Sequence, residues 1–232
     1  EYLALRGYFS NEGFAQFLES KSSTSQLREL SFEFDLYSEL IITDAFPKWI
    51  EAHPEINFLT FNIGLTSTKD GKNIWFKPET LSHITQGIER LKKLMYLKFC
   101  FGPIKFMPIG IQKRSASHFT QTAHLSIIST FLANMLQLRK LILQTGTGYL
   151  TDKELVRIFS SVFQLPRLRS FIFGGDFSKI NNTAIYKAQD FVEEASHLKE
   201  FYLKTCDYKG DLKHLEQLML KYRGPGCLNE KK

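Results

Sequence analysis

The sequence has few of the features that mark secreted, membrane or disulfide-stabilised proteins. Its three cysteines, Cys100, Cys206 and Cys227, share no CxxC spacing and cannot all pair with one another. This favours a reducing compartment over a disulfide framework. No apolar run approaches the roughly 18 residues that cross a bilayer, and no signal-peptide pattern opens the chain. We therefore expect a cytoplasmic protein with no membrane partner.

The sequence also lacks the spacings that catalytic and metal sites need. Its six histidines show no metal-ligand spacing and have no cysteine nearby. Gly146-Thr147-Gly148 lacks the rest of a dinucleotide-binding or P-loop signature, and no G-x-S-x-G motif is present. We predict that the protein is not an enzyme and that it binds no cofactor and no metal.

Apolar and aromatic residues are abundant. Of the 232 residues, 43% are hydrophobic and 14% aromatic, with 21 phenylalanines, which suffices for a continuous core. The net charge of +6 is local, because residues 88–118 hold seven basic residues against Glu89 alone, and 7 − 1 = +6. The remaining residues balance, so the basic character belongs to one segment.

A repeated pattern of apolar residues, with two residues and then one residue between them, runs along the chain. Its copies begin 29, 38, 44, 30 and 30 residues apart, after a truncated copy at Leu3/Leu5. The full copies are Leu27/Leu30/Phe32, Ile56/Leu59/Phe61, Leu94/Leu97/Phe99, Leu138/Leu141/Leu143, Leu168/Phe171/Phe173 and Leu198/Phe201/Leu203. Three of these spacings agree, and the two longer ones indicate the same unit with insertions.

Helical apolar periodicity fills the intervals between these copies. The clearest examples are Leu81/Ile84/Ile88/Leu91, Leu155/Ile158/Phe159/Val162 and Ile185/Ala188/Phe191/Val192/Ala195. Thr151-Asp152 and Asn182-Thr183 predict N-caps for two of the helices. Each unit is therefore predicted to be a strand followed by a helix, and stacked units would form a parallel sheet covered by helices.

This organisation resembles the leucine-rich repeat proteins of the ribonuclease-inhibitor-like class, and residues 138–166 are the best single copy. The resemblance implies an α/β horseshoe-shaped solenoid with a concave parallel sheet and convex helices. It implies a repeat domain over residues 1–222, with about seven repeats, insertions near 64–77 and 102–122, and a C-terminal tail at 223–232. The asparagine or cysteine with which the family follows its strands occurs here only once, as Cys206.

Residues between the core positions of each strand are expected to point to the concave face, since side chains alternate along a strand. Apolar residues are frequent among them, and contiguous apolar patches often mark interaction sites. The alternative is that the insertions fold over this face and bury it. The candidate contact residues on this face are Phe58, Tyr96, Lys98, Ile142, Ile172 and Tyr202.

The insertions supply a second candidate surface. Both follow strands of neighbouring repeats, so they are expected to leave the sheet at the same edge, and long loops on a repeat scaffold are often functional. The second insertion combines basic and apolar residues. Its candidate contacts are Lys105, Phe106, Met107, Lys113 and Arg114.

Three classes of function fit this sequence. The first is a non-catalytic scaffold for protein–protein interaction within a larger assembly, with a partner that presents an acidic surface. The second is an RNA-binding or other nucleic-acid-binding subunit that uses the basic insertion, although no dedicated nucleic-acid motif is present. The third is a regulatory repeat domain of the GTPase-regulator or ubiquitin-ligase-receptor type, which the breadth of the family alone suggests.

Overall fold

The computed structural model describes residues 1–7, 11–19, 26–36, 42–65, 75–76, 78–101, 105–106, 121–145, 150–177 and 180–206. The strands within these ranges are β1 (Tyr2–Gly7), β2 (Glu29–Leu36), β3 (Phe58–Leu65), β4 (Trp75–Phe76), β5 (Tyr96–Phe101), β6 (Lys105–Phe106), β7 (Lys140–Gln144), β8 (Ser170–Asp176) and β9 (Glu200–Cys206). The helices are α1 (Asn11–Glu19), α2 (Ala45–Glu51), α3 (Pro78–Glu89), α4 (Gln121–Ala133), α5 (Asp152–Phe163) and α6 (Asn182–Glu194).

The fold is α/β, with one seven-stranded parallel sheet in the order β1-β2-β3-β5-β7-β8-β9. Every adjacent pair in this sheet is parallel, and its order follows the chain. The helices also contact one another in chain order, from α1 with α2 to α5 with α6. Each strand–helix unit therefore packs against the unit before it and the unit after it, as the repeat predicts.

The core lies between the sheet and the helices, at the repeated apolar positions. All six full copies of the pattern are buried there, with Leu138, Leu141 and Leu143 at 0% exposure. The truncated copy at Leu3/Leu5 is partly buried against the same core. Parallel pairing needs a crossover between successive strands, and each helix provides that crossover while covering one face of the sheet.

Phenylalanine rings form two contiguous groups within this core. The first reaches from the N-terminal helices through Phe61 to Phe99, with edge-to-face neighbours between 5.7 and 5.9 Å apart at Phe32–Phe61 and Phe61–Phe99. The second surrounds Phe159, which meets the rings of strands β8 and β9 edge-to-face. Strand β7, which contributes Leu141 to the core, lies between the two groups.

Helix α5 begins where the sequence predicts. Thr151 is its N-cap residue, and the backbone N–H and the hydroxyl of Thr151 each donate to Glu154 Oε2 at 2.8 Å. The predicted N-cap of α6 at Asn182-Thr183 is wrong by one position. Asn181 takes this role, because its side-chain oxygen accepts the N–H of Ala184 at 3.0 Å, which satisfies one of the unpaired donors of the first turn.

Gly87 allows helices α2 and α3 to approach closely. A Cβ atom at this position would lie 2.7 Å from Cε1 of Phe46, which is fully buried. The helical propensity of glycine is poor, so close packing accounts for its presence inside α3.

The two insertions pair with each other. Strand β4 precedes α3 and strand β6 follows β5, and the two form a separate parallel pair with Trp75 opposite Lys105 and Phe76 opposite Phe106. The expectation that both insertions leave the sheet at the same edge agrees with this pairing.

Candidate binding surface

The open face of the sheet, defined as the face opposite the helices, carries three rows of residues that the strand registers align. Strand registers set the rows, since residues between buried positions alternate to this face. The first row is Tyr2, Glu29, Phe58, Tyr96, Lys140, Ser170 and Glu200. The second is Ala4, Ser31, Thr60, Lys98, Ile142, Ile172 and Tyr202. The third is Arg6, Glu33, Asn62, Cys100 and Gln144, and its backbone register continues through Gly174 and Lys204.

An apolar strip crosses this face diagonally, and we define it as Phe58, Tyr96, Ile142, Ile172 and Tyr202. The rings of Phe58 and Tyr96 stack with their centroids 3.7 Å apart and their planes 3° from parallel. Ile142 and Ile172 are register partners, and Tyr202 follows on β9. Tyr202 is 45% exposed, while the other four are half-buried, so each member of the strip keeps part of its side chain at the surface.

Two lysines accompany the apolar strip at the centre of the sheet. Lys98 lies between Thr60 and Ile142 in the second row, and Lys140 lies beside Tyr96 in the first row. The Nζ atom of Lys140 is 5.9 Å from the centroid of the Tyr96 ring, within the range of a cation–π contact. Neither lysine has an ion-pair partner among the described residues.

Acidic residues lie toward the two ends of the same face. At the β1 end, Arg6 Nε lies 3.2 Å from Glu33 Oε2, and Glu29 occupies the first row. At the β9 end, Glu200 is exposed. The centre of the open face is therefore cationic, and its ends carry carboxylates.

Small, buried polar residues lie beside the apolar strip on the open face. Ser31, Thr60 and Ser170 are each less than 9% exposed, and Cys100 is 4% exposed. Burial raises the pKa of the Cys100 thiol, which a coulombic interaction with Lys98 partly offsets. Burial also raises the pKa of the Tyr96 hydroxyl, as does its interaction with Cys100. Both groups are therefore neutral at physiological pH, and Cys100 is a poor nucleophile.

The structure brings six of the predicted contact residues together. Phe58, Tyr96, Lys98, Ile142, Ile172 and Tyr202 all lie on the open face, as the alternation of the strands predicts. Lys105 and Phe106 form β6, which belongs to the other sheet. Met107, Lys113 and Arg114 lie outside the described residues.

Sequence reasoning missed one contact of a lysine and one group of cations. Lys140 was predicted to face this side, but nothing in the pattern indicated its position over the Tyr96 ring. The group of cations lies in the turns that lead into the strands. Its members occupy equivalent positions of successive repeats and are Arg139, Arg169 and Lys199. The repeat alignment could have found this group, because all three directly precede a strand.

The described residues contain no group of three or more histidine, cysteine or carboxylate side chains arranged to hold a metal ion. In the same part of the chain, no helix has the length and apolarity that crossing a membrane requires. No protein-family model matches the sequence, and a search of curated proteins finds no match either.

Proposed function

We propose that the chain is a leucine-rich repeat domain of the ribonuclease-inhibitor-like class, with the open face as the concave side of a horseshoe. Three features support this: strand–helix units in chain order, an all-parallel main sheet, and burial of every full copy of the repeated pattern. Curvature arises in such folds when helices on one side occupy more width than the strands on the other.

The proposed function is non-catalytic binding of a protein partner through the open face, within a larger intracellular assembly. The apolar strip carries this proposal. The face of a sheet that is in contact with water usually carries polar residues. Here, five aromatic or branched apolar side chains lie on five neighbouring strands of that face. Exposed apolar patches with aromatic members mark interaction sites, because such side chains give large contact areas.

The charges of the face indicate what the partner presents. Lys98 and Lys140 lie beside the apolar strip without acidic partners in the described structure. A partner with carboxylates around an apolar centre would complement both features. Lys105, Phe106, Met107, Lys113 and Arg114 of the second insertion form a further proposed contact with the same acidic partner.

A pair of matched tyrosine variants tests this function. Tyr202 on the open face is 45% exposed and Tyr186 on helix α6 is 43% exposed, so Tyr202→Ala and Tyr186→Ala remove the same side chain from opposite sides of the protein. Each tagged variant would be used for affinity purification from cells, with quantitative mass spectrometry of the recovered proteins. We expect Tyr202→Ala to lose a specific set of proteins that Tyr186→Ala retains.

Two further results would contradict this proposal. If both variants recover the wild-type set of proteins, the open face is not the binding surface. If the proteins that Tyr202→Ala loses are also lost from the wild type after ribonuclease treatment, the wild type recovers them through RNA, and the nucleic-acid-binding alternative replaces protein binding.

A further inference from the structure

A row of basic residues follows the edge of the sheet where the chain turns from each helix into the next strand. We define the basic edge as the lysines and arginines in four of these turns, at residues 91–95, 136–139, 166–169 and 196–199. They are Lys92, Lys93, Arg139, Arg167, Arg169 and Lys199, and all six are exposed. This edge lies at the amino-terminal ends of the strands. Of its cations, only Lys92 and Lys93 fall within the basic segment 88–118.

Backbone hydrogen bonds hold these turns in a ladder. The N–H of Arg139 donates to the carbonyl of Met95 at 2.8 Å, that of Arg169 to Arg139 at 2.7 Å, and that of Lys199 to Arg169 at 2.8 Å. Neighbouring parallel strands are about 4.8 Å apart, so the ladder sets the backbones of Arg139, Arg169 and Lys199 at roughly this spacing. The positions of these three residues therefore follow from the backbone of the repeats.

Only one of the six cations of the basic edge, Lys93, forms an ion pair in the described structure, and Arg167 donates to the neutral amide oxygen of Gln137. Lys93 Nζ lies 2.5 Å from Glu55, which neutralises that lysine. Arg169 donates to the carbonyl oxygen of His197 at 2.7 Å, which fixes the guanidinium without neutralising it. Lys92, Arg139 and Lys199 have no side-chain partner among the described residues.

A surface cleft of about 390 Å³ opens between these turns. Its walls are Asn57, Lys92, Lys93, Met95, Gln137, Arg139 and Arg167. Apolar side chains adjoin the cations, since Met95 is 38% exposed and the nearby Leu136 is 55% exposed. The cleft thus combines unpaired positive charge with a small apolar contact area.

We propose that the basic edge binds an extended, acidic segment of polypeptide that lies across the turns, with an apolar side chain in the cleft beside Met95. Alternate residues of an extended chain are about 6.7 Å apart, a spacing that long, flexible lysine and arginine side chains on the ladder can reach. Nucleic acid fits less well, because the described edge offers no exposed aromatic ring on which bases could stack.

This second surface goes beyond the proposed binding through the open face, and it is tested separately. The probe is a fluorescein-labelled glutamate-rich peptide with a central leucine, measured by fluorescence anisotropy against the full chain. The test variant is Lys92→Glu/Arg139→Glu/Lys199→Glu. The matched control is Lys153→Glu/Arg157→Glu/Lys187→Glu, which reverses three exposed cations on helices α5 and α6.

We expect the test variant to bind the peptide at least about tenfold more weakly than wild type, because each reversal removes an attraction and adds a repulsion. The control should bind as wild type does, and added salt should weaken wild-type binding. Tyr202→Ala should leave peptide binding unchanged, so failure of the open face and failure of the basic edge give different results. Circular dichroism confirms that each variant is folded.

Three outcomes would overturn the proposal. The first is wild-type affinity in the test variant, and the second is equal loss of affinity in the control, which would indicate general charge attraction. The third is tighter binding of mixed-sequence single-stranded or double-stranded RNA than of the peptide in the same assay.

Discussion

Substitution of Leu141 tests quantitatively whether the repeated apolar positions form the core. Its side chain is fully buried, and its register partners are Leu97 on β5 and Phe171 on β8. Leu141→Ala removes three carbon groups, which costs about 2.4 kcal/mol at about 0.8 kcal/mol per buried group. The residual cavity adds to this, so we expect the free energy of unfolding to fall by about 3–4 kcal/mol.

The neighbouring residue supplies the control. Ile142 is half-buried on the open face of the same strand, so Ile142→Ala should lower the free energy of unfolding by less than about 1 kcal/mol. Urea titrations of both variants, followed by circular dichroism, measure the difference. Leu141→Asp places an unpaired charge in the core and should unfold the adjacent repeats altogether.

Equal stability of Leu141→Ala and Ile142→Ala would refute the assignment of the two faces of β7. A soluble Leu141→Asp protein with an unchanged melting temperature would refute the assignment of the repeated apolar positions to the core.

Because strand β7 separates the two groups of phenylalanine rings, the unfolding transitions measured by tryptophan fluorescence and by circular dichroism should also be compared. Trp75→Phe leaves Trp49, which is buried within the first group, as the single tryptophan of the sequence. In this variant, an earlier or later fluorescence transition would show that the two halves unfold separately.

Three further outcomes are expected. Gly87→Ala should destabilise the protein by about 1–3 kcal/mol despite the better helical propensity of alanine, because the added Cβ would overlap the ring of Phe46, and urea denaturation measures this loss. Thr151→Ala should cost about 1 kcal/mol in the same assay, because its hydroxyl no longer donates to Glu154, and an unchanged midpoint would show that this contact is unimportant. Cys100 should react slowly with iodoacetamide in the folded protein at pH 8, because burial raises the pKa of the thiol and lowers its thiolate fraction, and rapid native-state labelling measured by mass spectrometry would contradict its burial.

The sequence predicted the parts of the fold that depend on periodicity. The spacing of Leu138, Leu141 and Leu143 identified both the buried face of a strand and its place in the repeat, because one alternation decides which side chains meet the core. The same alternation predicted that Tyr96 and Ile142 would share the open face.

Features that depend on exact geometry were not predictable from periodicity. The N-cap at Asn181 differs by one position from the prediction, since neighbouring polar residues can each cap a helix and only the backbone conformation selects one. The stacking of Phe58 on Tyr96 depends on side-chain rotamers, and the pairing of β4 with β6 joins segments with no shared pattern.

The pairing of β4 with β6 has a consequence for the ancestry and engineering of the chain. Each of these two-residue strands has its partner in the other insertion, so the backbone hydrogen bonds of one depend on the presence of the other. Loss of either insertion in a descendant would leave its counterpart without a template, and transfer of one alone to another scaffold would do the same. The two insertions are therefore expected to be inherited, lost or transplanted as one unit, although they belong to different repeats.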